Sequence, residues 1–420
     1  MTAVRRYLRA AAGGFPTAFW WLWGGMLVNR VGGFVLPFLA LYLTRRQGFT
    51  PQQASLFVSL YGAGIVAAGP LGGLLADRVG RRATMIVSLT GGGLLAVVFG
   101  FLRAPVEIGA ATLLLGLVGE MYRPAMQAAI GDVVPPGDRV RAFGLLYWAV
   151  NLGFAIGLSL AGLLADRSLR LLFVLDGLTS LAFAGMVVLR VRETRPAAAR
   201  TAHRRAPLAE LLVAWRDGPY AAFLGLYFLF LLFFSQIFTT LPLDMAAHGI
   251  SPGGYGFSMS MNGLVIVLVQ PVIGPIARRF QPSRVLALGV LLAGAGFGAN
   301  ALASTTAHYA AAAALWTLGE ILTLPVSNAV AVELAPPDLR GRYQGALSTC
   351  WGIAGLTAPP LGTLVLTRLG SLALWGSSMA LGVLVSGGHL GLSGRLRRQL
   401  DRAARRSAPA LAAGREPEVS

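Results

Sequence analysis

The stretch Gly73-Leu74-Leu75-Ala76-Asp77-Arg78-Val79-Gly80-Arg81-Arg82 stands between two long apolar runs, and it decides how the chain is read. Three arginines within five positions form the kind of basic cluster that stays on the cytoplasmic side of a membrane. Gly73 allows close helix approach, and Gly80 permits a tight turn with positive φ. Asp77 falls at a helix end, where it can pair with Arg81 or cap the N-terminus of another helix. Arginines alone would fix orientation; an acid among them is expected to act as a latch.

Working outward, the second half of the chain repeats the first at a displacement of 201 positions, as from Pro51 to Pro252. Gly48-Phe49-Thr50-Pro51 returns as Gly249-Ile250-Ser251-Pro252, Gly62 as Gly263, Pro70 as Pro271 and Gly73 as Gly274. Pro135-Pro136, Arg139, Arg141 and Gly144 return as Pro336-Pro337, Arg340, Arg342 and Gly345. Duplicated membrane halves are the common design of secondary transporters, since two similar bundles can rock about a site held between them. In the second copy Arg278 stands where Asp77 stands in the first, so only the first half keeps the acid.

Composition excludes a soluble fold. Mean hydropathy is +0.66, 55% of the 420 residues are hydrophobic and 12% are charged. A soluble chain of this length needs far more charge to cover its surface. The formal net charge of +18 comes wholly from arginine, with no lysine, in short clusters between apolar runs. That pattern orients helices and does not form a nucleic-acid groove. Cys350 is alone and the four histidines are scattered, so neither a metal site, a cofactor motif nor a catalytic constellation is indicated.

A helix needs about 20 apolar residues to cross the hydrocarbon. Twelve stretches qualify: 17–44, 52–76, 83–102, 107–131, 141–165, 170–190, 219–246, 253–277, 284–304, 307–332, 341–367 and 370–392. Arg45, Arg46, Arg103, Arg167, Arg170 and Arg368 fall on one side, and Arg30 and Arg123 within the membrane. Every other arginine falls on the side of the N-terminus, which places both termini in the cytoplasm. The organisation expected is an all-α membrane protein with an N-terminal six-helix bundle over 1–190 and an inter-bundle loop over 191–218. A C-terminal six-helix bundle over 219–392 follows, then a disordered tail over 393–420. An interfacial helix is expected around Pro207–Trp215.

The stretch from Gly73 to Arg82 closely resembles the cytoplasmic loop of the major facilitator superfamily, Gly-x-Leu-Ala-Asp-Arg-x-Gly-Arg-Arg/Lys. Asn29-Arg30-Val31-Gly32-Gly33-Phe34-Val35-Leu36-Pro37 and Glu120-Met121-Tyr122-Arg123-Pro124 resemble its drug/proton antiporter-like members. The resemblance implies two pseudo-symmetric bundles around one central cavity, working as a monomer in the cell membrane without cofactor. It also implies that Gly73, Asp77, Arg78, Gly80, Arg81 and Arg82, with Asp132 at the end of the fourth helix, form a cytoplasmic gate. Family exporters often carry Gly-x-x-x-Gly-Pro-x-x-Gly-Gly in the fifth helix. Here Gly153 and Gly157 are followed by Leu158, so that motif is half present.

Arg30, Glu120, Arg123 and Glu320 lie near the middle of their spans, where a charge is costly and by default functional. Glu120 and Arg123 are three apart and share a helix face. Two readings are open: an ion pair that locks helix packing, or a substrate and proton site. Asn29 and Gln236 are further cavity candidates; Gln127, Asn151, Asn262 and Asn328 are as suited to helix–helix hydrogen bonds. Asp176 and Asp244 are expected nearer the outer ends, facing water. Glu120 and Glu320 can exchange a proton when desolvated, and no nucleotide-binding motif exists. The favoured function is therefore proton-coupled export of a small, largely apolar compound. The alternative is import or facilitated passage of a sugar, organic acid or peptide.

Overall fold

The computed structural model describes residues 13–135, 138–194, 213–277, 279–335 and 340–413. Twelve helices there are long and apolar enough to cross a membrane, and we number them as spans 1 to 12. Spans 1 to 6 are Thr17–Arg45, Pro51–Arg78, Arg81–Phe99, Pro105–Val133, Arg141–Ala165 and Leu169–Arg190. Spans 7 to 12 are Gly218–Phe238, Pro252–Ile273, Pro282–Leu302, Thr306–Ala331, Tyr343–Leu369 and Ser371–Leu400. Among the described residues there is no strand. The protein is a multi-pass, all-α membrane protein.

Helix starts are written in the local sequence. Thr50 and Gln53 form a reciprocal capping box ahead of span 2, with Pro51 at the first helical position. Asp217, Ser168 and Thr305 each accept a hydrogen bond from the backbone N–H three residues on, opening spans 7, 6 and 10. These caps stand at span ends, where the first turn of a helix has no backbone acceptor of its own.

Packing repeats with the sequence. Span 1 packs on spans 5 and 6, as span 7 packs on 11 and 12. Span 2 packs on 4 and span 3 on 6, as 8 packs on 10 and 9 on 12. The halves meet chiefly along two seams, span 5 on 8 and span 11 on 2, which are images of one another under the repeat, with further contact between spans 1 and 7. Small residues make both seams. A Cβ on Gly62 would stand 2.7 Å from the Gly355 carbonyl, and one on Gly263, its repeat image, 2.4 Å from the Ala155 side chain. Such residues let membrane helices approach where dispersion and weak polar contacts drive association. The aromatic core of the second half gathers Phe230, Phe234, Phe297, Trp316 and Trp375.

Two expectations need correction, and a third lies mostly outside the described residues. The last helix does not stop near 392; it continues to Ala413, because the Arg-, Ala- and Leu-rich sequence that follows favours helix over coil. Of the segment around Pro207–Trp215, residues 207–212 lie outside the described residues, and Val213–Arg216 is a single helical turn. Gly73 is not the point of close approach either. A Cβ there would meet nothing within 4 Å, whereas one on Gly72 would stand 2.6 Å from the Met121 carbonyl oxygen.

Within the second half, a Cβ on Gly319 would lie 2.3 Å from the carbonyl oxygen of Gly289 and 2.4 Å from the amide nitrogen of Ala293. Both atoms are backbone and can yield only if a helix moves. Gly319→Ala is expected to destabilise the protein by about 1–3 kcal/mol. Gly376→Ala, where the added carbon meets nothing within 4 Å, should leave stability unchanged or slightly raised. Thermal unfolding of the two purified variants checks this, and equal midpoints would contradict it.

Candidate functional site

Three spans are interrupted, and all three interruptions border one cavity. Span 1 breaks between Val31 and Val35, span 4 between Val118 and Tyr122, and span 7 gives way to a 3₁₀ turn over Ser235–Phe238 before the helix resumes as Thr240–Ala247. Broken helix within a membrane frees backbone groups that only protein or enclosed water can satisfy. At the first break, Asp176 of span 6 accepts hydrogen bonds from the N–H groups of Phe34 and Val35, both at 2.9 Å on Oδ2. It thereby caps the half-helix Val35–Arg45. At the second, Ser88 of span 3 donates to the Val118 carbonyl at 2.5 Å and accepts from the Tyr122 N–H at 2.8 Å. The expectation that Asp176 faces water near an outer end is thus overturned: it is part of the cavity wall. Asp244 is also buried, accepting from Tyr309 Oη at 3.0 Å and Trp375 Nε1 at 2.9 Å.

The cavity measures about 350 Å³ and lies between the halves. Asn29, Arg30, Glu120 and Arg123 all line it, as the sequence suggested. Glu120 sits in the break of span 4 and is paired with Arg123 through Oε2. Its Oε1 accepts from Tyr61 Oη of span 2 at 3.0 Å. Arg30 donates to the Tyr122 hydroxyl, which donates at 3.0 Å to Asn29 Oδ1; Asn29 Nδ2 donates at 2.9 Å to Ser180 Oγ. Spans 1, 4 and 6 are thereby tied together at the depth of the breaks. Opposite them, the second half offers Ser235, Phe238, Thr239, Trp351, Gly355 and Pro359. Every charged group on the wall, Arg30, Glu120, Arg123 and Asp176, belongs to the first half.

Gln236 and Glu320 are not brought to this cavity. Gln236 Nε2 donates to the Leu232 and Ala358 carbonyls and its Oε1 accepts from Thr240, so it joins spans 7 and 11. Glu320 is buried in the seam between spans 10 and 8, where Asn262 Nδ2 donates to it at 2.6 Å. Asn262 is the repeat image of Tyr61, so each half holds an acid against a polar residue of its second helix. The image of Arg123 is Leu324, and span 10 runs unbroken through Glu320. The copies share a plan, but the broken helix and the cation belong to the first.

The basic loop forms a second cluster at the Arg-rich end of the bundle. Arg81 donates to Asp77 Oδ1 at 2.7 Å and to the Ala76 carbonyl at 2.8 Å, and its Nε stands 3.4 Å from Asp132 Oδ2. Gly80 has φ of 122°, which a side chain would strain. Arg78 ends span 2, and Arg82 donates to the Val188 carbonyl at 2.8 Å. Sequence reasoning missed Glu193. Its carboxylate accepts from the N–H groups of Arg81 at 2.9 Å and Arg82 at 3.2 Å, capping span 3 from the end of span 6. A lone acid in a basic linker was the available signal.

Family comparison agrees with this architecture. The sequence profile of the Major Facilitator Superfamily matches residues 22–359 and again 223–412, and the chain belongs to that family. It is a transporter of small molecules and not an enzyme. It is 28% identical over 363 residues to the uncharacterized MFS-type transporter YttB of Bacillus subtilis, covering 83% of this chain and 88% of that protein. It is 25% identical over 379 residues to a Na(+), Li(+), K(+)/H(+) antiporter of Planococcus maritimus, covering 80% and 86%. To the multidrug resistance protein MdtH of Aeromonas salmonicida it is 24% identical over 344 residues, covering 80% and 85%. Among solved structures, a peptide transporter POT in complex with sulfate shares the fold, with a TM-score of 0.75 at 18% identity over 92% of this chain and 96% of that one.

Ser88 is fully buried and serves both freed groups of the span 4 break. Ser88→Ala leaves a buried amide and a buried carbonyl unpaired, and is expected to destabilise the protein by about 1–3 kcal/mol. Chemical denaturation of the purified variant measures the loss. Unchanged stability would mean that the break is satisfied in another way.

Proposed function

We propose that this protein exports small, largely apolar compounds from the cell in exchange for protons, by alternating access of the central cavity. The observation that carries the proposal is the Glu120–Arg123 pair, seated in a broken helix on the wall of a cavity between two rocking halves. An acid at membrane depth can release its proton to one side and take one up from the other if rocking alters its contact with a cation and with water. The opposite wall, with Phe238, Trp351 and Pro359, suits loose recognition of apolar bodies. The positive-inside rule assigns the Arg-rich end to the cytoplasm of a cell membrane, with both termini on that side. Relatives named as a cation/proton antiporter and as a multidrug resistance protein are consistent with the reading. Glu320, buried against Asn262 outside the cavity, is the next acid to test.

Within this scheme Asp77, Arg81 and Asp132 form the cytoplasmic gate. In the state described they are bonded within their own half, which leaves Asp77 free to re-pair across the halves when the cavity opens the other way. The importer or facilitator reading retains one support, the uninterrupted helix of span 5 with Leu158 where exporters carry proline.

The test uses Glu120→Gln in proteoliposomes. Accumulation of substrate driven by a pH gradient should be abolished, leaving no concentration above the downhill equilibrium level. Binding and downhill exchange should survive. A variant that still concentrates substrate as wild type does rules Glu120 out as the coupling acid.

A further inference from the structure

We propose that Asp166 is the charged half of a clasp that holds the Arg-poor end of the protein shut, and that it sets how readily the cavity opens there. The proposal rests on the alternating-access reading but not on any substrate, direction or coupling ion.

Asp166 is the C-cap residue of span 5, in the first half. Both its carboxylate oxygens are given to the start of span 8, in the second half. Oδ1 accepts from the Gly253 N–H at 2.9 Å and Oδ2 from Ser251 Oγ at 3.0 Å. Ser251 Oγ in turn accepts from the Gly254 N–H at 3.1 Å. The first amides of a helix lack intrahelical acceptors and carry the positive end of its dipole. Span 8 thus receives an anionic cap from across the interface. The fit is close, since a Cβ on Gly253 would stand 2.3 Å from Asp166 Oδ2. Beside it, Arg45 at the end of span 1 donates to the Ile250 carbonyl at 3.0 Å, a second bond between the halves. Arg45, Arg46, Arg167 and Arg170 border the same recess.

The repeat supplies an internal comparison. Displaced by 201 positions, Asp166 falls on Thr367, and Gln52 falls on Gly253. Those images touch as well: Gln52 Nε2 donates to Thr367 Oγ1 at 2.8 Å across the seam between spans 2 and 11. The two clasps occupy equivalent places, but one is charged and the other neutral. Span 2 caps itself through Thr50 and Gln53, whereas span 8 draws part of its cap from Asp166. Separating the halves at this end therefore breaks one neutral bond at the seam of spans 2 and 11. At the seam of spans 5 and 8 it also strips an anion from a helix N-terminus. Charge-assisted bonds are roughly twice as strong as neutral ones, so opening is resisted chiefly at the second seam.

The test measures the distance between the halves at this end in the full-length protein. Spin labels go on Val106→Cys and Leu302→Cys, exposed positions in opposite halves, in a Cys350→Ser background. Pulsed electron paramagnetic resonance then reads the populations of close and separated states, whichever way the protein is inserted. Asp166→Asn should raise the ratio of separated to close states about twofold to fivefold, the factor implied by losing an exposed anionic cap at a helix N-terminus. Ser251→Ala, which keeps the carboxylate and removes one of its partners, should shift it in the same direction and serves if the first variant fails to fold. Thr367→Val, at the neutral clasp, should shift it less. Distance distributions matching the unsubstituted labelled protein in both Asp166→Asn and Ser251→Ala overturn the proposal. A failure of proton coupling would leave these distances untouched, so the two ideas fall separately.

Discussion

Asp176 holds two backbone amides at 2.9 Å with a single carboxylate oxygen, and the architecture of the cavity depends on this kind of bond. In hydrocarbon, an unpaired amide or carbonyl costs several kcal/mol, so a spanning helix can be interrupted only where protein groups satisfy the gap. Asp176 does this for span 1, Ser88 for span 4, and Gln236 braces span 7 against span 11. The interruptions allow the backbone and side chains of three spans to face one cavity. They also place Glu120 at a helix break, where its surroundings can change more than they could inside a continuous helix.

The two halves are one plan with unequal chemistry. Tyr61 holds Glu120 as Asn262 holds Glu320, and Gly62 meets Gly355 as Gly263 meets Ala155. Against that symmetry the charges are distributed to one side. Arg123, the acid of the basic loop and the anionic cap at the Arg-poor end all belong to the first half. Like packing in the two halves permits two states close in energy, while asymmetric charge gives a ligand something to bias. A two-state element both of whose forms are close in energy is what a carrier requires.

Much of this was legible in the sequence. The twelve spans followed from apolar run length, and the loop from Gly73 to Arg82 identified the fold because glycine, acid and base each have a distinct task there. Arg30, Glu120 and Arg123 could be found because charge at membrane depth is costly enough to need a reason. The helix breaks could not be placed, since Gly32-Gly33 and Gly119 are common in membrane helices and tolerated unbroken. Asp176 was misread for the same reason: its role is defined by the break that it caps, in a different span. Glu320 was grouped with Glu120 by repeat position, but position alone does not bring an acid to the cavity. Asp166 and Glu193 are single acids at span ends, and only tertiary contact distinguishes them from residues that face water.

The central claim is that rocking of the halves changes the proton affinity of Glu120. Infrared difference spectra recorded through a pH titration can follow the protonated carboxyl band that is missing in Glu120→Gln. The comparison is between free protein and protein locked at the Arg-poor end by a disulfide between Gln52→Cys and Thr367→Cys, in a Cys350→Ser background. The account predicts that the midpoint of this band moves when the lock is closed. An identical midpoint in locked and free protein would show that Glu120 does not sense the conformational state, and would reduce its pair with Arg123 to a fixed structural contact.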